Sequence, residues 1–137
     1  MKVGLISDLH LNLLYNEHYG PREFKEGDCW VTSGTHTDIL APMGRYGCDP
    51  PKILIDTMLD QFNESYGKQD VIFLTGDLAS HHTSMNVDDP GHTYPLLLET
   101  LRGISMLLAE KFPDTLILPA FGNNDSKWHD NPIPTAD

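Results

Sequence analysis

Three short stretches of the 137-residue chain put oxygen and nitrogen donors directly after apolar runs: Asp8-Leu9-His10 after "KVGLIS", Gly76-Asp77 after "DVIFLT", and Gly122-Asn123-Asn124-Asp125 after "TLILPAF". Carboxylates, an imidazole and amide oxygens gathered in one place are costly to bury unless neutralised, and a divalent cation neutralises them most directly. The chemistry they point to is metal binding. Each stretch alone has an ordinary explanation: an aspartate satisfies loop amides, Gly-Asp is a common turn and cap device, and Gly-Asn suits a turn needing positive φ. Their shared position separates the two readings, because turn chemistry seldom delivers donors to three strand ends in the order DxH, GD, GN.

The elements that must position these residues are legible as strand, long loop, helix, strand, loop, helix, strand. "KVGLIS" (Lys2 to Ser7), "DVIFLTGD" (Asp70 to Asp77) and "TLILPAF" (Thr115 to Phe121) are short apolar runs of the kind expected for strands covered on both faces. "DPPKILIDTMLDQFNESY" predicts a helix with Asp49 as N-cap, prolines in its first turn, and Ile55, Met58, Leu59, Phe62 and Tyr66 on one face. A second helix is predicted from near Pro95, with Leu97, Leu101, Ile104, Leu108 and Phe112 at helical spacing and Pro113-Asp114 as its stop. "LASHHTSMNVDDPGHT" between them reads as a polar loop, and Leu11 to Asp49 as an irregular excursion longer than compact domains usually carry. Alternating strands and helices predict an α/β fold, βαβαβ, with parallel strands whose carboxyl ends share one edge, the edge where open α/β sheets bind ligands.

Composition narrows the partners. Twenty acidic residues against 9 basic ones give a formal charge of -11, with no Lys/Arg cluster to follow a phosphate backbone, so nucleic acid is not expected as a partner. No apolar run approaches the ~20 residues of a membrane span, and Met1 leads almost directly into a strand, leaving no room for a signal peptide. The expectation is a cytosolic chain or one with an upstream piece missing. Cys29 and Cys48 form no CxxC pair, which disfavours structural zinc and leaves two readings, buried thiols or one disulfide in an oxidising compartment.

The three donor stretches resemble the calcineurin-like metallophosphoesterases, whose signature runs DxH, GDxxx, GNH[DE] and then two later histidine motifs. "RYGCDPPKILIDTML", "TGDLASH" and "LPAFGNNDSKWHDNPIP" are similar to the acid sphingomyelinase-like phosphodiesterase branch, and the similarity spans essentially the whole chain. The resemblance implies the amino-terminal half, residues 1–137, of a two-sheet sandwich flanked by helices, with the carboxy-terminal half and its later histidines missing. It implies a phosphodiester hydrolase using hydroxide activated by two divalent metals, zinc as the usual pair with manganese or iron fitting the same donors. Asp8 and His10 would bind the first metal, Asp77 would bridge both, Asn123 would bind the second, and Cys29 would pair with Cys48. His81 would protonate the leaving group, with His82 the weaker candidate and His129 a minor one; a loop histidine in solvent is the competing reading.

The departure is Asn124, where the family's usual GNH has histidine; asparagine transfers no proton at ordinary pH but still hydrogen-bonds a phosphoryl oxygen. GNND resembles endopolyphosphatase-like members, so a phosphoanhydride substrate is the alternative, and a non-catalytic binding homologue is a second. The chain alone is expected to bind metal weakly and hydrolyse little. The sequon Asn63-Glu64-Ser65, a disulfide, a pI near 4.8 and above all the resemblance imply a secreted or lysosomal/vacuolar glycoprotein.

Overall fold

The computed structural model describes residues 1–21, 29, 34–81 and 90–126. Its centre is a parallel sheet of three four-residue strands: β1 (Val3–Ile6), β4 (Val71–Leu74) and β5 (Leu116–Pro119), with β4 in the middle. Val3 lies opposite Val71 and Val71 opposite Leu116, so the three strands finish level with one another. The mixed α/β architecture with parallel strands agrees with the sequence reading, and the three carboxyl ends do share an edge.

The connections are helical. Helix α1 (Lys52–Tyr66) joins β1 to β4 after the long excursion, and α2 (Pro90–Lys111) joins β4 to β5. Both lie against the same sheet face: Ile6, Ile72 and Leu74 pack with Ile55 and Leu59 of α1 and with Ile104, Leu107, Leu108 and Phe112 of α2 in one cluster. Leu97 is buried too, and Leu101 and Phe62 pack at the cluster's margin, as the apolar spacing requires.

Four expectations are corrected. The N-cap of α1 is Pro51, without a side-chain cap bond, and not Asp49. Asp49 turns its carboxylate elsewhere, and Pro51, which lacks an N–H and has a fixed φ, serves the helix start instead. On α1, Met58 and Tyr66 are exposed, because the buried stripe of the helix is narrower than its apolar spacing. Helix α2 begins at Pro90 and carries Pro95 inside, so the end of the predicted polar loop is helical. Pro95 sits early enough that its missing N–H costs one intrahelical bond near the start rather than breaking the ladder. The strands, finally, are covered on one face only: Val3, Leu5, Phe73, Leu116 and Leu118 point away from the helices and are exposed, Leu5 by 66%.

The excursion between β1 and α1 forms only one small ladder among its described residues, β2 (Tyr19–Gly20) antiparallel to β3 (Thr35–His36). It is tied internally by the Tyr15 hydroxyl, which donates to the Ala41 carbonyl at 2.6 Å, and burial pushes that phenol's pKa above its ordinary value. A disulfide joins Cys29 to Cys48, with Cα atoms 5.7 Å apart across a separation of 19 residues, and Cys29 is fully buried. Among the described residues no helix is long and apolar enough to cross a membrane.

Candidate metal centre

The loops leaving β1 and β4 continue to pair after the strands end. Asp8 N–H donates to the Gly76 carbonyl at 3.1 Å, His10 N–H to Asp77 at 2.9 Å and Leu11 N–H to Leu78 at 2.8 Å, and Leu11 forms an isolated parallel bridge with Ala79. Asp8, His10 and Asp77 all take positive φ, at 54°, 43° and 52°. Aspartate and histidine tolerate this region better than most residues, yet each such residue costs on the order of 1 kcal/mol. Three of them on two adjacent loops amount to strain concentrated at one site.

The strain brings side chains together. Donor atoms of Asp8, His10 and Asp77 lie within 4.8 Å of one another, with His10 Nε2 at 3.8 Å from Asp8 Oδ1 and 3.9 Å from Asp77 Oδ2. Two carboxylates and an imidazole at this spacing, converging from two strand ends, form a hard-oxygen and nitrogen donor set suited to a divalent cation. Asp8 is open to solvent and takes a hydrogen bond from the Ser7 hydroxyl, whereas His10 and Asp77 are largely covered.

The third strand end is held against the second by Asp77 and Asp125. Asp77 Oδ1 accepts the Asn124 N–H at 3.0 Å, leaving Oδ2 toward His10. Asp125 Oδ1 accepts the N–H groups of Leu78 and Ala79 at 2.7 and 3.0 Å, and its Oδ2 accepts the Gly122 N–H at 2.9 Å. Two glycines make this crossing feasible. A Cβ on Gly76, at φ 101°, would lie 2.8 Å from the Gly122 Cα, and one on Gly122 would lie 2.7 Å from the Asp77 Cγ. Residues 123–125 then form a short 3-10 turn in which Asn123 is exposed while Asn124 and Asp125 are buried, Asn124 to 1%.

His81 stands beside this centre. Its ring stacks on that of His10 at a centroid distance of 4.2 Å and an interplanar angle of 7°. Asp49 receives it with both oxygens: Oδ2 accepts the His81 backbone N–H at 2.8 Å, and Oδ1 faces Nδ1 at 2.8 Å. His10, Asp49 and His81 thus form a second close group of donors that shares His10 with the first.

The structure therefore gathers Asp8, His10, Asp77 and His81, with the backbone of Asn124 against Asp77 and Asn123 on the adjoining exposed turn. His82 and His129 lie outside the described residues. Sequence reasoning missed Asp49 as the partner of His81, having given it to the helix cap, and missed Asp125 as the residue that locks the two later loops. The signal for Asp125 was present: an aspartate three positions after a turn glycine is placed to accept that glycine's N–H. Nothing local signalled Asp49, whose partner lies 32 residues away.

Similarity to several proteins over most of the chain points to the metallophosphoesterase superfamily. The relatives include acid sphingomyelinase-like phosphodiesterase 3b of Mus musculus and of Homo sapiens, each 31% identical over 120 residues, or 88% of this chain and 24% of the relative. Endopolyphosphatase of Schizosaccharomyces pombe is 29% identical over 136 residues, 90% of this chain and 22% of that protein. The chain thus spans about a quarter of the length of the curated relatives it matches. No family model matches it.

Proposed function

We propose that this chain supplies the first part of the active centre of a metal-dependent phosphodiester hydrolase of the sphingomyelinase-like kind. The observation that carries the reading is the convergence of Asp8, His10 and Asp77 within 4.8 Å on positive-φ loops at the carboxyl edge of a parallel sheet. Asp8 and His10 would hold one divalent metal, Asp77 would serve both positions, and Asn123 would offer its amide oxygen to the second; zinc is the pair the family resemblance implies, and manganese or iron fit the same donors. Bound there, the two cations supply Lewis acidity, a water of lowered pKa and a clamp on the phosphoryl oxygens.

The chain's own residues contribute the rest. The carboxylates exclude the substrate's negative charge unless neutralised, which makes activity strictly metal-dependent. His81, fixed beside His10, gives a proton to the departing alkoxide. Asn124 cannot do so; its backbone N–H instead keeps Asp77 in orientation. The exposed apolar sheet face accepts a second sheet from the remainder of the domain, and Asn63, exposed on α1, accepts a glycan in a secreted or lysosomal protein.

A second reading, cleavage of a phosphoanhydride, is favoured by the GNND stretch together with the similarity to an endopolyphosphatase. Assay of the full-length protein with Zn²⁺ or Mn²⁺ on sphingomyelin, a nucleotide phosphodiester and polyphosphate separates the two. Turnover of a diester that EDTA abolishes, and that Asp77→Asn lowers at least a hundredfold, is expected. Metal-loaded protein that hydrolyses none of the three would leave a non-catalytic binding homologue.

A further inference from the structure

We propose that the excursion after β1 and the start of α1 form a second ligand site, apart from the metal centre, that takes a small zwitterion: an oxyanion joined to an ammonium group. The cavity there has a volume of about 530 Å³, within the roughly 300–1,000 Å³ of small-molecule sites, and none of its lining residues belongs to the candidate metal centre. Its walls include Asn12, Tyr15 and Glu17 from the excursion and Lys52 and Ile53 from the first turn of α1.

Two independent deficits of hydrogen-bond acceptors meet in this cavity. The first is Asn12, which is only 2% exposed. Its Oδ1 accepts the Leu14 N–H at 2.9 Å, which sets the orientation of the amide, and its Nδ2 is left buried without a partner. A buried donor without an acceptor is costly, and native structures seldom keep one without a reason. The second deficit is the start of α1. Pro51 caps the helix without a side-chain bond and the first turn holds no acid, so the N–H groups of Lys52 and Ile53 have no intrahelical acceptor. The helix dipole adds partial positive charge at the same end. An oxyanion supplies acceptors for both deficits at once. The Lys52 ammonium reinforces it, because its contact with Asp56 at 3.2 Å is an exposed i,i+4 pair, weak enough to be exchanged for a ligand.

Glu17 argues against a plain anion, which its carboxylate would repel. Among the described residues no cation pairs with that carboxylate; Arg45 reaches the Glu17 carbonyl instead, at 3.3 Å. A ligand that brings its own positive charge turns the repulsion into attraction. Tyr15 has its hydroxyl committed to the Ala41 carbonyl, so what it offers a ligand is aromatic surface, which suits an ammonium group. Leu13 and Pro42 add apolar wall for the linker between the two charges. The cavity is also preformed: the Asn12 N–H donates to the Pro50 carbonyl at 3.0 Å and ties the beginning of the excursion to its end.

The test titrates O-phosphoethanolamine into the full-length, metal-loaded protein by calorimetry, with inorganic phosphate and ethanolamine as single-charge controls. Nitrogen-15 NMR of the Lys52 amide tells binding here from binding at the metals. That amide is expected to shift with the zwitterion, and each control to bind this site at least tenfold more weakly. Asn12→Asp keeps the acceptor for Leu14 but puts a negative oxygen in place of the donor, and is expected to weaken zwitterion binding at least tenfold. Glu17→Gln is expected to do the same while improving the binding of inorganic phosphate. Glu17 is only partly covered, so this second variant decides the matter even where Asn12→Asp fails to fold. A Lys52 amide that does not shift, phosphate bound as tightly as the zwitterion, or affinity unchanged in Glu17→Gln each overturns the proposal. Vesicles of phosphatidylcholine and phosphatidylethanolamine separate the two sources of such a ligand: sedimentation with them that Glu17→Gln abolishes assigns the site to a lipid headgroup, and binding of the soluble probe alone assigns it to a free solute.

Discussion

Gly122 shows how little room the candidate centre leaves its backbone. Its φ of -89° suits any residue, so only sterics require glycine there, and the obstruction includes the Asp77 backbone nitrogen as well as its carboxylate, so moving the side chain alone does not relieve it. Gly122→Ala is therefore expected to force the second and third loops apart, destabilising the fold by about 1–3 kcal/mol and weakening Zn²⁺ binding at least tenfold by calorimetry. Asp125 works in the same joint. Asp125→Ala leaves the N–H groups of Leu78 and Ala79 without their buried acceptor, and a loss on the order of 3 kcal/mol is expected in a denaturant titration of the full-length protein. At the neighbouring cluster, the convergence of Asp8, His10 and Asp77 was legible because a polar residue closing an apolar run is a local pattern. Asp49 and the two glycines were not, since their necessity comes from loops that meet only once the sheet has formed.

Among the elements, the apolar spacing of α2 located its core face through Leu97, Ile104, Leu108 and Phe112, while its start was hidden by Pro95, which reads as a boundary but is tolerated near a helix's beginning. The two helices are further joined by charge, a feature that spacing does not announce. Lys111, in the last turn of α2, reaches Asp56 at 2.8 Å and Asp60 at 2.6 Å on α1, and Lys52 reaches Asp56 at 3.2 Å. The hydrogen bond from Lys111, more than any other contact, holds the Asp56 carboxyl below its ordinary pKa, and the pair raises Lys111 above its own. A depressed carboxyl binds fewer protons folded than unfolded, so its contribution is present above pH ~4 and is lost as pH falls through the folded-state value. The raised lysine contributes below its unfolded pKa and loses that only at strongly alkaline pH. Melting temperatures between pH 6 and pH 2 are expected to fall less steeply for Lys111→Met than for wild type; parallel curves would show that the contact couples nothing.

At the scale of the molecule, the sheet has one face built and one open. Strands of near-continuous apolar residues predict cover on both sides, and the helices supply it on one side only. Val3, Leu5, Phe73, Leu116 and Leu118 form a contiguous set across three paired strands, since Val3 and Leu5 register with Val71 and Phe73, and Val71 and Phe73 with Leu116 and Leu118. An exposed apolar set of this kind marks a surface made to be covered, and left bare it promotes association. The 137 residues expressed alone are expected to bind a hydrophobic dye and to sediment as more than a monomer, and Leu5→Lys with Phe73→Lys to reduce both without unfolding the chain. The full-length protein should show neither behaviour if a second sheet lies on this face. The decisive comparison is hydrogen exchange at β4, the central strand: slower in the full-length protein than in the 137 residues alone if the face is covered, and equal if the face is open in both.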